Sequence, residues 1–442
     1  MRDLVEVIPC LESHRGAPAV VDEAGESVTW DALAARVDRR ARALTQGETV
    51  LLHEGDAFER VVDVLACERA GALAVVVLPR VPRAVAIEHA RRVERAVAER
   101  ARTHDDVTGL SIAVMTSGST RAPRAVLIDG DALLTSARSA SAHIAFERGH
   151  RWLLSLSLAH VGGLGVLARA RLGGGALALP PQGTGLADAL RATRATHVSL
   201  VAAQLQDLVE KGPRNHRFED TKNIKAALIG GGPVGESLLA RATQLPLAQT
   251  WGMSETCAQV ATSALGAPST CGAPLPGRSV RVGADGELLV KGGAFARLVV
   301  EEETAKPLAF DEDGFFHTRD RGEVQSDGHV VVLGRLDTVF ISGGENVQPE
   351  LIERALASHP TVARSLVVPV PHARYGQRPF AFVDVAGEKL NERSLRAHLA
   401  ERLARHEIPD AFALWPSTLR EGKPSRPQFA ERARALIEER AR

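Results

Sequence analysis

The segment of the chain with the clearest chemical potential is a run of hydroxyl side chains that follows an apolar stretch. After the apolar residues 112–115 come Thr116, Ser117, Gly118, Ser119 and Thr120. Hydroxyls and backbone N–H groups around a glycine at the end of a strand can hydrogen-bond the oxygens of a phosphate. Arg124, four residues later, can add charge-assisted hydrogen bonds. The spacing does not fit a Walker A loop, so the segment is either another kind of phosphate-binding loop or a polar surface turn.

A second candidate is a glycine-rich segment after the apolar residues 226–229. It reads Gly230, Gly231, Gly232 and Pro233, and with Gly235 it formally spells GxGxxG. An acidic residue, Glu255, stands 20 positions beyond Gly235, as in a dinucleotide-binding fingerprint. The proline inside the pattern and the lack of a recognisable strand before the acidic residue argue against that interpretation. A nicotinamide or flavin oxidoreductase nevertheless stays among the alternatives.

Four further positions could carry chemistry, and each also has a structural interpretation. Trp251 could pack in the core, and Asp320 between two arginines could form a surface ion-pair cluster of small energetic value. Lys423, between glycine and proline, could be an exposed loop lysine, and His160, in a glycine-rich apolar stretch, could be a buried residue with its hydrogen bonds satisfied. None of the four is informative in isolation.

The elements that must position these residues alternate along the first three quarters of the chain. Short apolar runs typical of strands buried on both faces occur at 74–78, 112–115, 152–158, 197–201 and 226–230. A helix is predicted at 83–102, where an Ala/Val/Ile stripe is flanked by charged residues. The alternation predicts an α/β fold with βα layers.

The pattern changes near residue 277. Short alternating segments separated by Asp-Gly turns predict a small antiparallel sheet. Beyond Gly334 we predict a helix that begins at Pro349, a strand at 365–370, and a helix with Leu395, Leu399 and Leu403 on one face. The prediction is therefore a large N-terminal domain of several subdomains, residues 1–335, and a small C-terminal α+β domain, residues 336–442.

Composition excludes several classes of protein. The 442 residues carry 54 Lys+Arg and 54 Asp+Glu, so no global field would attract nucleic acid, and no nucleic-acid partner is expected. Four cysteines without a CxxC pair predict reduced thiols and a cytoplasmic protein. The first residues include Asp3 and Glu6 and lack a long apolar run, so no signal peptide is expected there. The longest uncharged stretch, 152–168, is too short and polar for a membrane span and is interpreted as a buried strand and turn.

Taken together and in this order, the segments resemble the adenylate-forming superfamily of acyl-CoA synthetases, peptide-synthetase adenylation domains and luciferases. The hydroxyl-rich loop resembles that superfamily's T-S-G-S-T-G-x-P-K loop, with Arg121 at the second glycine and Arg124 at the lysine. Residues 230–234 resemble its G-G-A-P segment, residues 251–255 its Y-G-x-T-E motif, and residues 318–320 its T-G-D motif. Residues 334–337 resemble its G-R-x-D hinge, and Lys423 stands at its C-terminal lysine.

The resemblance implies a role for each motif. It implies ATP contacts from Thr116, Ser117, Gly118, Ser119, Thr120, Arg124, Gly231, Gly232, Pro233, Trp251, Gly252, Met253, Ser254, Asp320 and Arg335. It further implies Mg²⁺ at Glu255, catalysis by Lys423 with His160 near the acyl pocket, and a mobile C-terminal domain that rotates about Asp337. Gly343 and Gly344 would line the path of the CoA pantetheine.

Within the superfamily, residues 319–323 and 341–350 resemble the o-succinylbenzoate–CoA ligases of menaquinone biosynthesis, as do 156–163, 196–205 and 367–379. The implied substrates are o-succinylbenzoate, ATP and CoA. A second carboxylate on the substrate would require a partly polar acyl pocket, for which Ser199, Gln204 and His160 are candidates. Another aryl- or medium-chain acyl-CoA ligase, and a non-catalytic acyl-adenylate or nucleotide-binding protein, remain alternatives. The sequence leaves open whether two copies form a homodimer.

Overall fold

The computed structural model describes residues 14–22, 24–53, 55–116, 124–181, 183–211, 222–232, 234–385, 390–417 and 425–441. The strands within these ranges are β1 (Pro18–Val21), β2 (Ser27–Thr29), β3 (Thr49–Leu52), β4 (Leu73–Val76), β5 (Leu110–Thr116), β6 (Arg124–Asp129), β7 (Arg151–Leu153), β8 (Ala176–Ala178), β9 (His197–Leu200), β10 (Ala226–Ile229), β11 (Leu247–Met253), β12 (Ala258–Thr262), β13 (Arg278–Val282), β14 (Glu287–Gly292), β15 (Leu298–Glu301), β16 (Thr304–Pro307), β17 (Phe316–Val324), β18 (Val330–Arg335), β19 (Phe340–Ser342), β20 (Glu345–Val347), β21 (Val362–His372), β22 (Gly376–Val385) and β23 (Ala411–Leu414).

The α-helices, numbered in the same way, are α1 (Trp30–Ala41), α2 (Ala57–Ala70), α3 (Arg83–Ala101), α4 (Gly130–Ser141), α5 (Val161–Gly173), α6 (Leu186–Thr193), α7 (Ala202–Lys211), α8 (Glu236–Arg241), α9 (Pro349–Ala357), α10 (Glu392–Ala400) and α11 (Arg426–Ala441). Their ends follow local chemistry. Asp56, for example, caps α2 by accepting from the Glu59 N–H at 2.8 Å, and Gly71 ends that helix at a φ of 68°.

Two large sheets with helices between the strands form the N-terminal part. One runs in the order β12-β11-β10-β9-β7-β8-β1-β2, parallel from β11 to β1 with an antiparallel strand at each edge. The other runs β16-β15-β6-β5-β4-β3. In it, β5 and β6 are antiparallel, and Thr116 pairs with Arg124 at the two ends of the hydroxyl-rich loop. Buried apolar strands such as β4 and β10 produce this layered core.

The C-terminal part contains two smaller sheets. An antiparallel sheet runs β13-β14-β17-β18, and beyond it β20-β19-β22-β21 form a sheet to which β23 adds beside β22. The apolar cores around the last sheet use only residues from Phe340 onward, whereas Trp251 packs with residues of the four-stranded sheet. The mixed α/β class is confirmed, and the division at residue 335 with a mobile C-terminal domain stays a prediction.

Some predicted elements differ in extent from the observed ones. The strand predicted at 152–158 ends at Leu153, and the stretch interpreted as strand and turn continues into α5. Three glycines in the first turns of α5 lower helix propensity, yet the helix is almost entirely buried and packing determines its conformation. Leu403 lies beyond the end of α10, while the predicted helix at 83–102 is confirmed as α3. None of the described helices combines the length and apolarity that crossing a bilayer requires.

Candidate active site

Asp320 is the centre of a polar cluster formed by three strands. Its carboxylate accepts a hydrogen bond of 2.7 Å from the Trp251 indole N–H and one of 3.0 Å from the Arg335 guanidinium. Burial raises the pKa of Asp320, and the charge of Arg335 and the indole hydrogen bond offset part of that rise. Arg335 also binds Asp337 at 3.0 Å and 3.1 Å. The predicted ribose-binding pair and the hinge aspartate therefore belong to one hydrogen-bonded chain.

Backbone geometry fixes these side chains at strand ends. Trp251 lies near the end of β11, where a Cβ on Gly252 would overlap the carbonyl oxygen of Ala258 on β12. Only glycine fits that close approach of two strands. On β17, Arg319 adopts a φ of 61° immediately before Asp320. A left-handed conformation is unfavourable for arginine, so the neighbouring residues must maintain it.

Glu255 lies in the turn between β11 and β12 and faces the end of the hydroxyl-rich loop. Its carboxylate pairs with Arg124 at 3.3 Å, and Arg124 also pairs with Glu301 at 3.3 Å. Buried Arg278 supports the turn by donating to the Thr256 carbonyl at 2.6 Å, and burial lowers the pKa of Arg278 to about 10. The predicted metal ligand and the predicted phosphate-binding arginine are thus in contact.

Glu255 suits a magnesium ion. Mg²⁺ is usually held by one or two carboxylates together with substrate phosphates, and the Glu255 side chain is 12% exposed beside the strand ends that flank the loop. In the described part of the chain, no group of three or more His, Cys, Asp or Glu side chains could hold a metal unaided. The carboxylate therefore fits an ion that arrives with its nucleotide.

The glycine-rich segment follows β10 at the same edge of the sheet. A Cβ on Gly230 would lie 2.8 Å from Thr250 on β11, and Gly231 has a φ of 78°. Both positions need glycine, Gly230 because β11 is close and Gly231 because its backbone is left-handed. A strand does precede Glu255, namely β11, which corrects the sequence-based argument that it was missing. In the structure the Glu255 carboxylate pairs with Arg124, beside the hydroxyl-rich loop rather than beside the glycine-rich segment.

The predicted acyl-pocket residues have partners inside the protein. Ser199 accepts from the Trp152 indole N–H at 3.1 Å, and Gln204 donates to the Ser155 carbonyl at 3.0 Å while it accepts from the Val201 N–H at 3.1 Å. His160 is an exposed residue at the start of α5. Their role in the acyl pocket stays a prediction.

Arg169 was missed by the sequence-based analysis. It is 4% exposed on α5, its guanidinium lies 5.0 Å from the ring of Trp152, and Nε has no hydrogen-bond partner. No carboxylate pairs with it among the residues that the structure describes. Burial lowers its pKa to about 10, which leaves it charged at neutral pH. The sequence gives no signal for Arg169, because the chain is rich in arginine. What distinguishes Arg169 is its burial without a carboxylate partner among the described residues, which only the structure shows.

The predicted CoA-path glycines lie in the C-terminal sheet. Gly343 and Gly344, with φ of 63° and 94°, form the turn of the β19–β20 hairpin. The Gly343 N–H donates to the Tyr375 carbonyl at 2.9 Å. Met253 is the last residue of β11, Ser254 lies in the turn with Glu255, and Thr116 ends β5. Outside the described residues lie Ser117, Gly118, Ser119, Thr120, Arg121, Pro233 and Lys423.

Comparison with known proteins agrees with this geometry. Residues 89–304 match the AMP-binding enzyme family, and residues 351–423 match the AMP-binding enzyme C-terminal domain. The 2-succinylbenzoate–CoA ligase of Salmonella typhimurium is 30% identical over 427 residues, which cover 90% of this chain and 90% of that protein. The enzyme of the same name from Haemophilus influenzae is 34% identical over 325 residues, or 72% and 69% of the two chains.

Solved structures show the same fold over nearly the whole chain. A variant of E. coli MenE with bound OSB-AMS superimposes with a TM-score of 0.81 at 25% identity, covering 97% of this chain and 98% of that one. The Bacillus subtilis o-succinylbenzoate coenzyme A synthetase in complex with ATP and magnesium ion gives 0.76 at 24% identity, covering 92% and 95%. This chain belongs to the AMP-binding enzyme family, in the group formed by the 2-succinylbenzoate–CoA ligases.

Proposed function

We propose that this protein joins 2-succinylbenzoate to CoA at the expense of ATP, as an AMP-forming acid–thiol ligase of menaquinone biosynthesis. The observation that carries the proposal is the cluster of Asp320, Trp251 and Arg335, found in a chain whose relatives over most of its length bear that ligase's name. An acidic acceptor beside an aromatic ring suits the ribose and adenine of a nucleotide.

The reaction proceeds in two steps. An oxygen of the succinyl carboxylate attacks the α-phosphorus of ATP, the bond to the β-phosphate oxygen breaks, and pyrophosphate leaves. The CoA thiolate then attacks the acyl carbon, the bond to AMP breaks, and AMP leaves with its electron pair. Activation is needed because a carboxylate has no good leaving group, whereas an acyl-adenylate has one.

Charge stabilisation and positioning dominate the first step. The Arg124–Glu255 pair carries the two charges that a magnesium–nucleotide complex would engage, the guanidinium for phosphate oxygens and the carboxylate for the cation. When bound, Mg²⁺ would neutralise phosphate charge. Lys423 would neutralise the charge that develops on the α-phosphate and acyl oxygens, and Asp320 with Arg335 would hold the ribose.

Arg169 supports a substrate with a second carboxylate. An isolated charge in a protein interior is costly, and the ring carboxylate of 2-succinylbenzoate would compensate the guanidinium directly. Arg169 and Ser199 both contact Trp152. A Cβ added to Gly165 would lie 3.5 Å from Arg169 Nη1 and 3.6 Å from the side chain of Ala258. Arg169 is therefore close to Ala258, next to the Glu255 turn. We therefore assign the ring carboxylate to Arg169.

Pyrophosphate release with ATP and a set of carboxylic acids tests the function. The decisive pair is 2-succinylbenzoate and 4-oxo-4-phenylbutanoate, which differ only by the ring carboxylate. A site that holds that group should reject the analogue, and we expect at least a tenfold preference in kcat/KM, about 1.4 kcal/mol. Better turnover of a plain fatty or benzoic acid would overturn the substrate and leave adenylate formation intact.

Two finer features are part of the proposal. A cytoplasmic location is supported by the cysteines: Cys67, Cys257 and Cys271 are buried free thiols, and Cys10 lies outside the described residues. A homodimer is the second feature, and light scattering on the purified chain, with and without the substrates, determines the number of copies.

A further inference from the structure

Arg319 has an unfavourable backbone conformation beside the candidate nucleotide site. It stands immediately before Asp320 with a φ of 61°, where a side chain with a Cβ is unfavourable. If Arg319 moved to an extended conformation, the direction of Asp320 would change, because successive side chains of a strand point to opposite faces. Something in the fold must therefore hold the backbone of Arg319.

The strand pairing shows that Arg319 lies in an irregular part of the β14–β17 ladder. Glu287 pairs with Arg321 and Leu289 pairs with His317, so β17 carries two more residues than β14 between these pairs. The extra residues form a bulge opposite Leu288. Thr318 lies inside it, where its hydroxyl donates to the Leu288 carbonyl at 2.6 Å and accepts the Asp320 N–H at 3.0 Å. Bulges commonly redirect a side chain at a site.

One carboxylate spans the bulge. Glu287 Oε1 accepts the Arg319 N–H at 2.8 Å, and Oε2 lies 2.8 Å from His317 Nδ1. The Glu287 side chain is 8% exposed, whereas His317 is half exposed. The buried carboxylate needs its hydrogen bonds, because an unmade bond to a charged group out of water is costly. Among the described residues, the Glu287 carboxylate forms no hydrogen bond or ion pair with Asp320, Trp251 or Arg335. Its influence on Asp320 must therefore pass through the backbone.

We propose that Glu287 is a positioning residue of the nucleotide site. By accepting the Arg319 N–H it holds the left-handed conformation that directs Asp320 toward Trp251 and Arg335, and so it determines how well the ribose hydroxyls are recognised. The inference rests on the proposed function only in assigning the ribose to Asp320. The bulge and its bonds are features of this chain.

The test measures recognition of the ribose rather than activity alone. The ratio of kcat/KM for ATP to that for 2′,3′-dideoxy-ATP is determined by pyrophosphate release with 2-succinylbenzoate. We expect Glu287→Ala to lower this ratio at least tenfold and to raise KM for ATP while KM for CoA stays unchanged. Glu287→Gln keeps an acceptor for the Arg319 N–H and should retain most of the ratio.

Arg319→Gly provides the rescue. Glycine adopts the left-handed conformation without a Cβ penalty, so Glu287→Ala in an Arg319→Gly background should recover most of the lost ratio. The matched control is Glu68→Gln, because Glu68 is an equally buried glutamate, also 8% exposed, that pairs with Arg171. It should lower the melting temperature without changing the ratio.

The outcomes separate the inference from the function on which it rests. If Asp320→Ala leaves the ratio unchanged, the ribose assignment is wrong and the inference fails with it. If Asp320→Ala abolishes discrimination but Glu287→Ala does not, only the inference is overturned. A loss that Arg319→Gly fails to rescue would likewise overturn it, since Glu287 would then act through general stability.

Discussion

Helix α5 buries two arginines in opposite electrostatic surroundings. Arg171 is 3% exposed and donates to both oxygens of Glu68, at 2.9 Å and 3.0 Å. Arg169, two residues earlier and 4% exposed, has no carboxylate partner among the described residues and lies over the Trp152 ring. The same residue type at the same burial is thus compensated on one side of the helix and uncompensated on the other.

The difference distinguishes a charge that is paired within the fold from one for which we propose a ligand. A buried ion pair is completed on folding, and removing one member leaves the other uncompensated. A buried cation without a partner contributes nothing comparable to stability, and for this reason we assign a ligand carboxylate to it. Burial alone would have assigned both arginines to the core, and only the inventory of partners distinguishes them.

The largest expected effect is on stability. Arg171→Met leaves the Glu68 carboxylate buried without its partner, and we expect the free energy of unfolding to fall by about 3–5 kcal/mol. Urea titration followed by tryptophan fluorescence measures the shift. The preference for 2-succinylbenzoate over 4-oxo-4-phenylbutanoate should not change in the fraction that remains folded. If the variant were as stable as the unmodified protein, the Arg171–Glu68 pair would have no structural role, and the two arginines could not be distinguished by their partners.

Arg169→Met should have the converse effect. We expect kcat/KM for 2-succinylbenzoate to fall about a hundredfold, roughly 2.7 kcal/mol, while kcat/KM for the analogue without the ring carboxylate changes little. The free energy of unfolding should stay the same or rise, because a desolvated charge is removed. An equal fall in kcat/KM for both substrates would contradict this role, because Arg169 would then affect the packing of the site rather than bind the ring carboxylate.

A third prediction concerns His197, whose ring packs 5.0 Å from that of Trp152. Burial lowers the pKa of His197 to about 4, with smaller contributions from the charges of His150, Lys225 and Arg169. An arginine cannot lose its charge at neutral pH, whereas a histidine can, so His197 is neutral in the fold.

The neutral state of His197 makes stability depend on pH. Its contribution is complete above about pH 6.5, the value expected in the unfolded chain, and is lost as pH falls from 6.5 toward 4. We expect a loss of about 1–2 kcal/mol at pH 5. Thermal unfolding as a function of pH should show a flatter profile for His197→Gln than for His104→Gln, which changes an exposed histidine. Identical profiles would mean that the pKa of His197 is the same in the folded and the unfolded chain.

The contrast between Arg169 and Arg171 also marks the limit of prediction from sequence. Motifs with fixed local spacing, such as Trp251 to Glu255, predicted the candidate nucleotide site, which stays a prediction, and apolar runs located strands such as β10. Helix α5 was not predicted because its glycines lower local propensity and its burial is decided by the layers around it. Neither arginine was singled out, since pairing with Glu68 depends on residues 103 positions apart.

The smallest expected effect tests whether the Arg171–Glu68 pair stabilises the fold at all. Replacing both members by methionine removes two buried charges together and leaves apolar side chains of similar length, so neither group is left uncompensated. Such replacements are often neutral or stabilising, and we expect the double variant to unfold within about 1 kcal/mol of the unmodified protein. The Glu68 carboxylate fills the space beside Gly130 at the start of α4, which a methionine can also occupy.

With both single variants, the double variant closes a mutant cycle whose coupling energy should be several kcal/mol. If the losses of the single variants simply add, Arg171 is held by packing rather than by charge, and the absence of a partner at Arg169 no longer signals a ligand.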